Sequence, residues 1–208
     1  MCSSDLTGAY AGSSYVNPNG DLTPETSINY DVGVRAQRDG LTLDATAFYT
    51  ESEDYIDHLP CTVEDLCPGA RDRIYINIGE SRAYGVEVAV SHSGLIAVIE
   101  PYASVTWVKR RNEFDAFSTW DSGIPELSGR LGLRWQGEVH WVRAAWGDFY
   151  LRGETGSDLK EPGSARAVLE EQSGWVTLNA ALGFQFGSPE QYRLSAELAN
   201  LTDKKYVA

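Results

Sequence analysis

The sequence contains no stretch near the roughly 18 consecutive apolar residues of a membrane helix, and its mean hydropathy is -0.31. A helical membrane span is therefore excluded. A membrane strand is not, because alternating lipid-facing and water-facing side chains dilute their own hydropathy signal. Basic residues are also scarce, with 17 Lys and Arg against 30 Asp and Glu and a net charge of -13. Nucleic acid is disfavoured as a partner, since a phosphate backbone needs a basic face. The acidic excess reads either as a solvated surface or as acidic loops facing the medium. G-x-S-x-G, H-E-x-x-H and a phosphate-binding Gly loop are all missing, so neither an enzyme nor a cofactor is expected. His58, His92 and His140 are scattered and suggest no ligand set.

Cysteine is nearly absent. Cys61 and Cys67 stand in one short polar stretch, Cys61-Thr-Val-Glu-Asp-Leu-Cys67-Pro-Gly, and Cys2 is left over. A C-x5-C pair in an exposed loop fits either a small loop-closing disulfide in an oxidising compartment or two unpaired thiols. With only His58 near, no tetrahedral metal set is complete. Glu51, Glu53, Asp54 and Asp57 cluster at a loop mouth, where oxygen ligands could hold a divalent cation. Their spacing matches no ordered ligand loop, and a solvated loop is the expectation.

What the chain does have is aromatic residues and alternation. Six Trp and eleven Tyr stand beside a single Met, a balance that favours strands and aromatic girdles over helices. Ile28, Tyr30, Val32, Val34 and Ala36 share one parity, and Asn29, Asp31, Gly33, Arg35 and Gln37 the other. Asp39-Gly40 follows as a two-residue hairpin signal. Leu41, Leu43, Ala45, Ala47 and Tyr49 then alternate with Thr42, Asp44 and Thr46. A third strand is expected from near Ile74 through Val90, and a fourth from Leu95 to about Lys109, with a bulge at Pro101. In the fifth, Leu127, Gly129, Leu131, Leu133 and Trp135 alternate with Ser128, Arg130, Gly132, Arg134 and Gln136. A sixth, Val139 to about Arg152, has a blurred phase and no assignable outward face. A seventh places Val176, Leu178, Ala180, Leu182, Phe184 and Phe186 on one side, and an eighth runs from Tyr192 to about Leu201.

The connections alternate as well. Short turns fall near residues 39, 92, 137 and 188, and long polar loops near 51–73, 109–124 and 153–174. Segments of about ten residues joined by short turns on one side and long loops on the other describe an outer-membrane β-barrel. A soluble sandwich would alternate faces too. It gives no reason for every second connection to be long, nor for Arg130 and Arg134 to interleave with Leu131, Leu133 and Trp135.

Three stretches then resemble the C-terminal barrel of TonB-dependent receptors. Leu22-Thr-Pro-Glu-Thr-Ser-Ile-Asn-Tyr-Asp-Val-Gly-Val-Arg35 is similar to that family's L-x-P-E-x-S-x-x-Y-E-x-G-x-R stretch. Ile76-Asn-Ile-Gly-Glu-Ser-Arg-Ala-Tyr-Gly-Val-Glu-Val88 resembles its N-x-G-x-A-x-x-x-G-V-E strand, and Leu198-Ala-Asn-Leu-Thr-Asp-Lys-Lys-Tyr206 its N-L-F-D-K-K-Y. Gly123-Ile-Pro125 is a weaker fourth match. The resemblance implies an all-β chain of about eight meandering antiparallel strands, a curved partial barrel from a parent of roughly 22 strands.

It also sets the expected organisation. Residues 1–6 resemble a sequencing-adapter translation, residues 7–29 a loop and strand remnant, and residues 30–206 a barrel segment without plug or final strand. The implied function is part of an active outer-membrane transporter in a Gram-negative bacterium. It would take up a ferric siderophore, cobalamin or a glycan with energy transmitted by TonB. The implied partners are the TonB complex, the plug domain, outer-membrane lipid and a small nutrient.

Trp107, Arg110, Arg111, Phe114, Phe117 and Trp120 are the candidate substrate contacts, suited to stacking and to anionic groups. For Trp107 a membrane-edge girdle is an equal reading. Asp31, Arg35, Glu87, Arg130 and Arg134 are expected to line the lumen against the plug. The alternatives are a complete eight-stranded outer-membrane barrel and a soluble β-sandwich that binds carbohydrate.

Overall fold

The structure is a computed structural model that describes residues 9–11, 14–60, 73–94, 98–115, 117–139, 142–162, 167–187 and 192–206. The adapter-like residues 1–6 and the Cys61–Cys67 pair lie outside them. The described residues form strands β1 (Ala9–Ala11), β2 (Ser14–Asn17), β3 (Thr26–Arg38), β4 (Leu41–Glu53), β5 (Ile56–Pro60), β6 (Arg73–Asn77), β7 (Glu80–His92), β8 (Ile99–Glu113), β9 (Ser118–Thr119), β10 (Leu127–Val139), β11 (Val142–Glu154), β12 (Ser157–Pro162), β13 (Ala167–Gln172), β14 (Trp175–Phe186) and β15 (Tyr192–Leu198).

Eight of them make one antiparallel meander in the order β15-β14-β11-β10-β8-β7-β4-β3, with β9 added beside β8. Five of these strands are 13 residues long. At about 3.3 Å per residue that is about 43 Å, or about 30 Å along a membrane normal for a tilt near 45°. The β3–β4 hairpin closes through Asp39 and Gly40 with φ of 50° and 86°, the twist-matched two-residue turn that Asp-Gly favours. A Cβ on Gly40 would stand 2.1 Å from the Ser93 carbonyl oxygen, so the neighbouring turn also requires glycine there.

The register carries one chemical character across the whole sheet. Val34, Ala45 and Val88 are cross-strand partners and continue into Val105 and Gly129. Leu133, Phe149 and Ala180 form another such row, ending at Leu198. Residues in direct register share a face, so the apolar rows of all eight strands lie on one side.

That side is bare. Leu131 is 59% exposed, Leu182 50%, Phe149 50% and Leu194 62%. A compact 22.9 kDa chain has an accessible surface of about 9,600 Å², whereas this one has 14193 Å². In water these exposed apolar rows would be strongly unfavourable; against hydrocarbon they are the expected exterior. Among the described residues no second sheet covers the apolar rows, which overturns the sandwich alternative. Nor do β3 and β15 pair with one another, so eight strands do not close a complete small barrel.

Two expectations need correction. Ile74 does not begin a barrel strand: β6 leaves the meander and joins β5 and β2 in a separate sheet. The break falls at Ile78 and Gly79, whose backbone groups pair with Tyr55 and Asp54. Pro101 makes no bulge. The β8–β10 ladder runs unshifted through Pro101 and Leu133, and the β7–β8 ladder has already ended at Ser91 and Tyr102.

The blurred phase of the sixth strand has a physical cause. The β10–β11 register shifts between Gly137 and Val139, and one extra residue on β11 reverses its parity. Past the shift, Phe149 and Leu151 align with Leu133 and Leu131, while Trp146, Asp148, Tyr150 and Arg152 take the polar face. The long loops carry strands of their own. The 153–174 segment holds the β12–β13 hairpin, and the 51–73 loop contains β5.

The face assignment has a direct test in lipid refolding of the membrane-embedded protein. Ala47→Arg and Leu131→Arg on the apolar side should each cost about 2–4 kcal/mol near the bilayer midplane. Thr46→Arg, one residue away on β4 but facing Glu87 and Gly33 across the polar side, should cost far less. Equal losses at positions 46 and 47 would refute the assignment.

Candidate functional site: the polar face and the outer loops

The parity that turns aliphatic side chains outward turns charged ones onto the other face. Asp31, Arg35, Glu87, Arg130 and Arg134 all have that second parity in the register of the meander. They do not form one cluster. Arg35 pairs with Asp44 directly across β3–β4. Arg134 Nη1 donates to Glu100 Oε1 at 3.0 Å, again between register partners. Arg130 Nη2 reaches diagonally to Asp148 Oδ2 at 2.7 Å. Asp31 and Glu87 have no cationic partner among the described residues.

The arginines also stack. The Arg130 guanidinium lies 3.5 Å from the ring centroid of Tyr150 and 5.4 Å from that of Tyr102, and Arg134 lies 4.9 Å from Tyr102. Tyr102 crosses over Gly132, where a Cβ would meet its ring at 2.6 Å, and its hydroxyl donates to Asp148 Oδ1 at 2.7 Å. Tyr150 donates to Glu197 Oε1 at 3.1 Å. This net of planar cations and aromatic rings fixes the side chains of the polar face. Sequence reasoning singled out the arginines but missed Tyr102, Asp148 and Glu197. Their parity alone carried no partner, because only the register brings them to the arginines.

The three candidate substrate contacts on β8 divide by parity. Trp107 belongs to the apolar rows as the partner of Val86 and Leu127, and meets Tyr84 edge-on at 5.7 Å. Trp120 meets the same Tyr84 at 6.1 Å. Arg111 lies 6.0 Å from the Trp120 ring and bonds Ser118 Oγ at 2.8 Å. Tyr84, Trp107 and Trp120 form an aromatic rim at the loop end of the apolar face. One position further along the strands come the charges Glu51, Arg82 and Arg111, register partners of one another. An aromatic row followed by a charged row is the sequence of environments at a membrane edge. Arg110 has the opposite parity and lies 5.1 Å from the Tyr55 ring. Phe114 and Phe117 stack at 5.1 Å within their own turn, with Lys160 Nζ 5.9 Å from Phe117.

The long loops hold each other. Gly123 N–H donates to the Asp158 carbonyl and Lys160 N–H to that of Asp121, both at 2.8 Å, tying the β12–β13 hairpin to the 121–123 segment. Arg73 Nη2 on β6 lies 2.7 Å from both carboxylate oxygens of Glu161 on β12 and 2.6 Å from the His58 carbonyl oxygen. The Glu161 side chain is 8% exposed and that of Arg73 20%. The acidic group near the first loop does not converge: Glu51 bonds Arg82 and Asp57 bonds His58. Among the described residues no three His, Cys, Asp or Glu side chains could hold a metal ion.

Comparison with known proteins places this architecture. The family described as TonB dependent receptor-like, beta-barrel, matches residues 3–201. The iron-regulated outer membrane virulence protein of Vibrio cholerae serotype O1 is 32% identical over 91 residues, 40% of this chain and 14% of that protein. Among solved structures, the copper transporter OprC superposes with a TM-score of 0.67 at 18% identity, over 90% of this chain and 26% of its own. The ferric yersiniabactin uptake receptor FyuA of Yersinia pestis does so with a TM-score of 0.60 at 20% identity, over 88% and 26%. The FrpB iron transporter of Neisseria meningitidis gives 0.64 at 12% identity, over 93% and 29%. The chain thus spans about a quarter of each solved relative.

Removing one partner of the Arg73–Glu161 pair leaves a charge buried without its counterpart. Glu161→Gln should lower the local opening free energy of β5, β6 and β12 amides by about 3 kcal/mol. Hydrogen exchange reads this directly, and amides of β10 should keep their protection.

Proposed function

Because this chain belongs to the TonB-dependent receptor β-barrel family, and so to the outer membrane of a Gram-negative bacterium, we propose that the receptor it is part of takes up a ferric siderophore with energy delivered by TonB. The observation that carries the substrate class is the run of iron proteins among its relatives. The Vibrio cholerae relative is named as iron-regulated, FyuA as a ferric yersiniabactin receptor and FrpB as an iron transporter. Cobalamin or a glycan would suit the same family and are the outcomes that compete in the test.

In this reading the chain supplies the wall and part of the mouth. The apolar face holds the wall in lipid, and the hydrogen-bonded charges of the polar face present a rigid lining to the plug. Arg110, Phe114 and Phe117 serve as ligand contacts at the mouth, since a guanidinium and flat rings suit an anionic, aromatic-rich chelate. Trp107 and Arg111, by their parity, and Trp120, by its contacts with Tyr84 and Arg111, serve to anchor the rim at the membrane edge.

Cells producing the full-length receptor should accumulate a labelled ferric siderophore, and a protonophore should abolish accumulation but not binding. Arg110→Gln should weaken binding by about tenfold, the loss of one charge-assisted hydrogen bond. Trp107→Phe should leave binding unchanged. Uptake of cobalamin or a glycan in place of every ferric siderophore tested would overturn the substrate class.

A further inference from the structure

Two arginines face one another on the polar side of the sheet. Arg130 on β10 and Arg152 on β11 are direct cross-strand partners. Their row continues to Ser104 on β8 and Thr177 on β14. Side chains in direct register sit about 5 Å apart at Cβ, and like charges so placed repel. The carboxylates nearby do not resolve this. Asp148 is engaged by Arg130 and by the Tyr102 hydroxyl. Glu154 accepts from Trp175 Nε1 at 2.7 Å. Arg152 has its guanidinium carbon 5.6 Å from the Trp175 ring centroid, and no carboxylate stands within ion-pair distance of it among the described residues.

The two side chains turn apart, Arg130 toward Tyr150 and Arg152 toward Trp175. A niche of about 320 Å³ opens there, lined by both arginines, Ser104, Thr106, Ser128 and Glu154. The Arg130 Nε is buried and has no acceptor. Two guanidiniums and three hydroxyls lining one niche make a receptor for a carboxylate.

We propose that the Arg130–Arg152 niche binds a carboxylate group on the inner wall of the barrel. The group comes either from an acidic side chain of another segment of the receptor or from a solute. The inference depends on the register of the polar face and not on the siderophore or TonB readings above.

The test uses the full-length receptor in detergent, with citrate as the probe and chloride at matched ionic strength as the reference. Without an anion, Arg152→Gln relieves a repulsion and should raise the melting temperature or leave it alone. With a bound carboxylate it should lower it by several degrees. Arg152→Lys keeps the charge and loses the planar stack on Trp175, so it should retain most of the wild-type stability.

Citrate that raises the wild-type melting temperature, with the response weakened at least about tenfold in apparent affinity by Arg152→Gln, identifies a solute site. A wild type insensitive to citrate but destabilised by Arg152→Gln and rescued by Lys identifies an internal carboxylate. The proposal is overturned if Arg152→Gln is neutral or stabilising and citrate has no effect. It is equally overturned if Lys behaves as Gln does, since stacking alone would then explain the loss.

Discussion

Hydrocarbon offers no partner to a backbone N–H or C=O, and the pairing of this sheet follows from that. Each strand in lipid must be paired on both sides, and consecutive strands joined by short turns can only pair antiparallel. The eight-stranded meander does this for every interior strand. Its two flanks do not: β3 and β15 are exposed along their whole lengths. Such rows of free donors and acceptors are unstable in a bilayer unless further strands continue the sheet. The chain's span of about a quarter of its solved relatives agrees with a segment of a larger closed barrel.

The polar face answers a different demand. A wide barrel cannot fill its interior with its own side chains, so its inner wall has no dry core to hold it in shape. Here the stiffness comes from cations laid over rings and tied to carboxylates on adjacent strands. Arg130, Arg134, Tyr102, Asp148 and Tyr150 connect β8, β10 and β11, and the Tyr150–Glu197 bond crosses to β15. Among the described residues the buried apolar ones are few, and several of them, Val16, Ile74 and Ile78, lie in or beside the small separate sheet at the loop end rather than in the main sheet. The main sheet therefore relies on ladder hydrogen bonds, lipid and this lattice.

Much of this was written into the period of the sequence. Strict alternation in 28–37, 41–49, 127–136 and 176–186 fixed strand type, face and order, since a period of two has only one face to offer a membrane. Asp39-Gly40 fixed a register to the residue. What escaped was whatever depends on pairing between distant segments. The parity reversal in β11 arises from one unpaired residue near Gly137, which leaves no mark in composition. The departure of β6 from the meander depends on partners at Val16 and at Ile56–Pro60. The candidate residues show the same divide. Arg130 and Arg134 stood out as charges between leucines, whereas Arg152 lay in the stretch whose phase the bulge had scrambled. Arg110 and Arg111, adjacent in the sequence and alike in chemistry, were separated only by which side of β8 each one takes.

The one-sided register also bears on how such a wall can drift over generations. Fluid lipid has no shape to match, so Val32, Val88, Leu131 or Leu182 can exchange among aliphatic residues one at a time at little cost. Across the other face the same freedom is missing. Arg134 and Glu100, or Arg35 and Asp44, are held to each other across a strand boundary, and a change in one is tolerated best alongside a change in its mate. Substitutions accumulated along any strand of this sheet should therefore come singly at lipid-facing positions and in couples at the polar ones, a rhythm imposed by solvent on one side and by neighbours on the other.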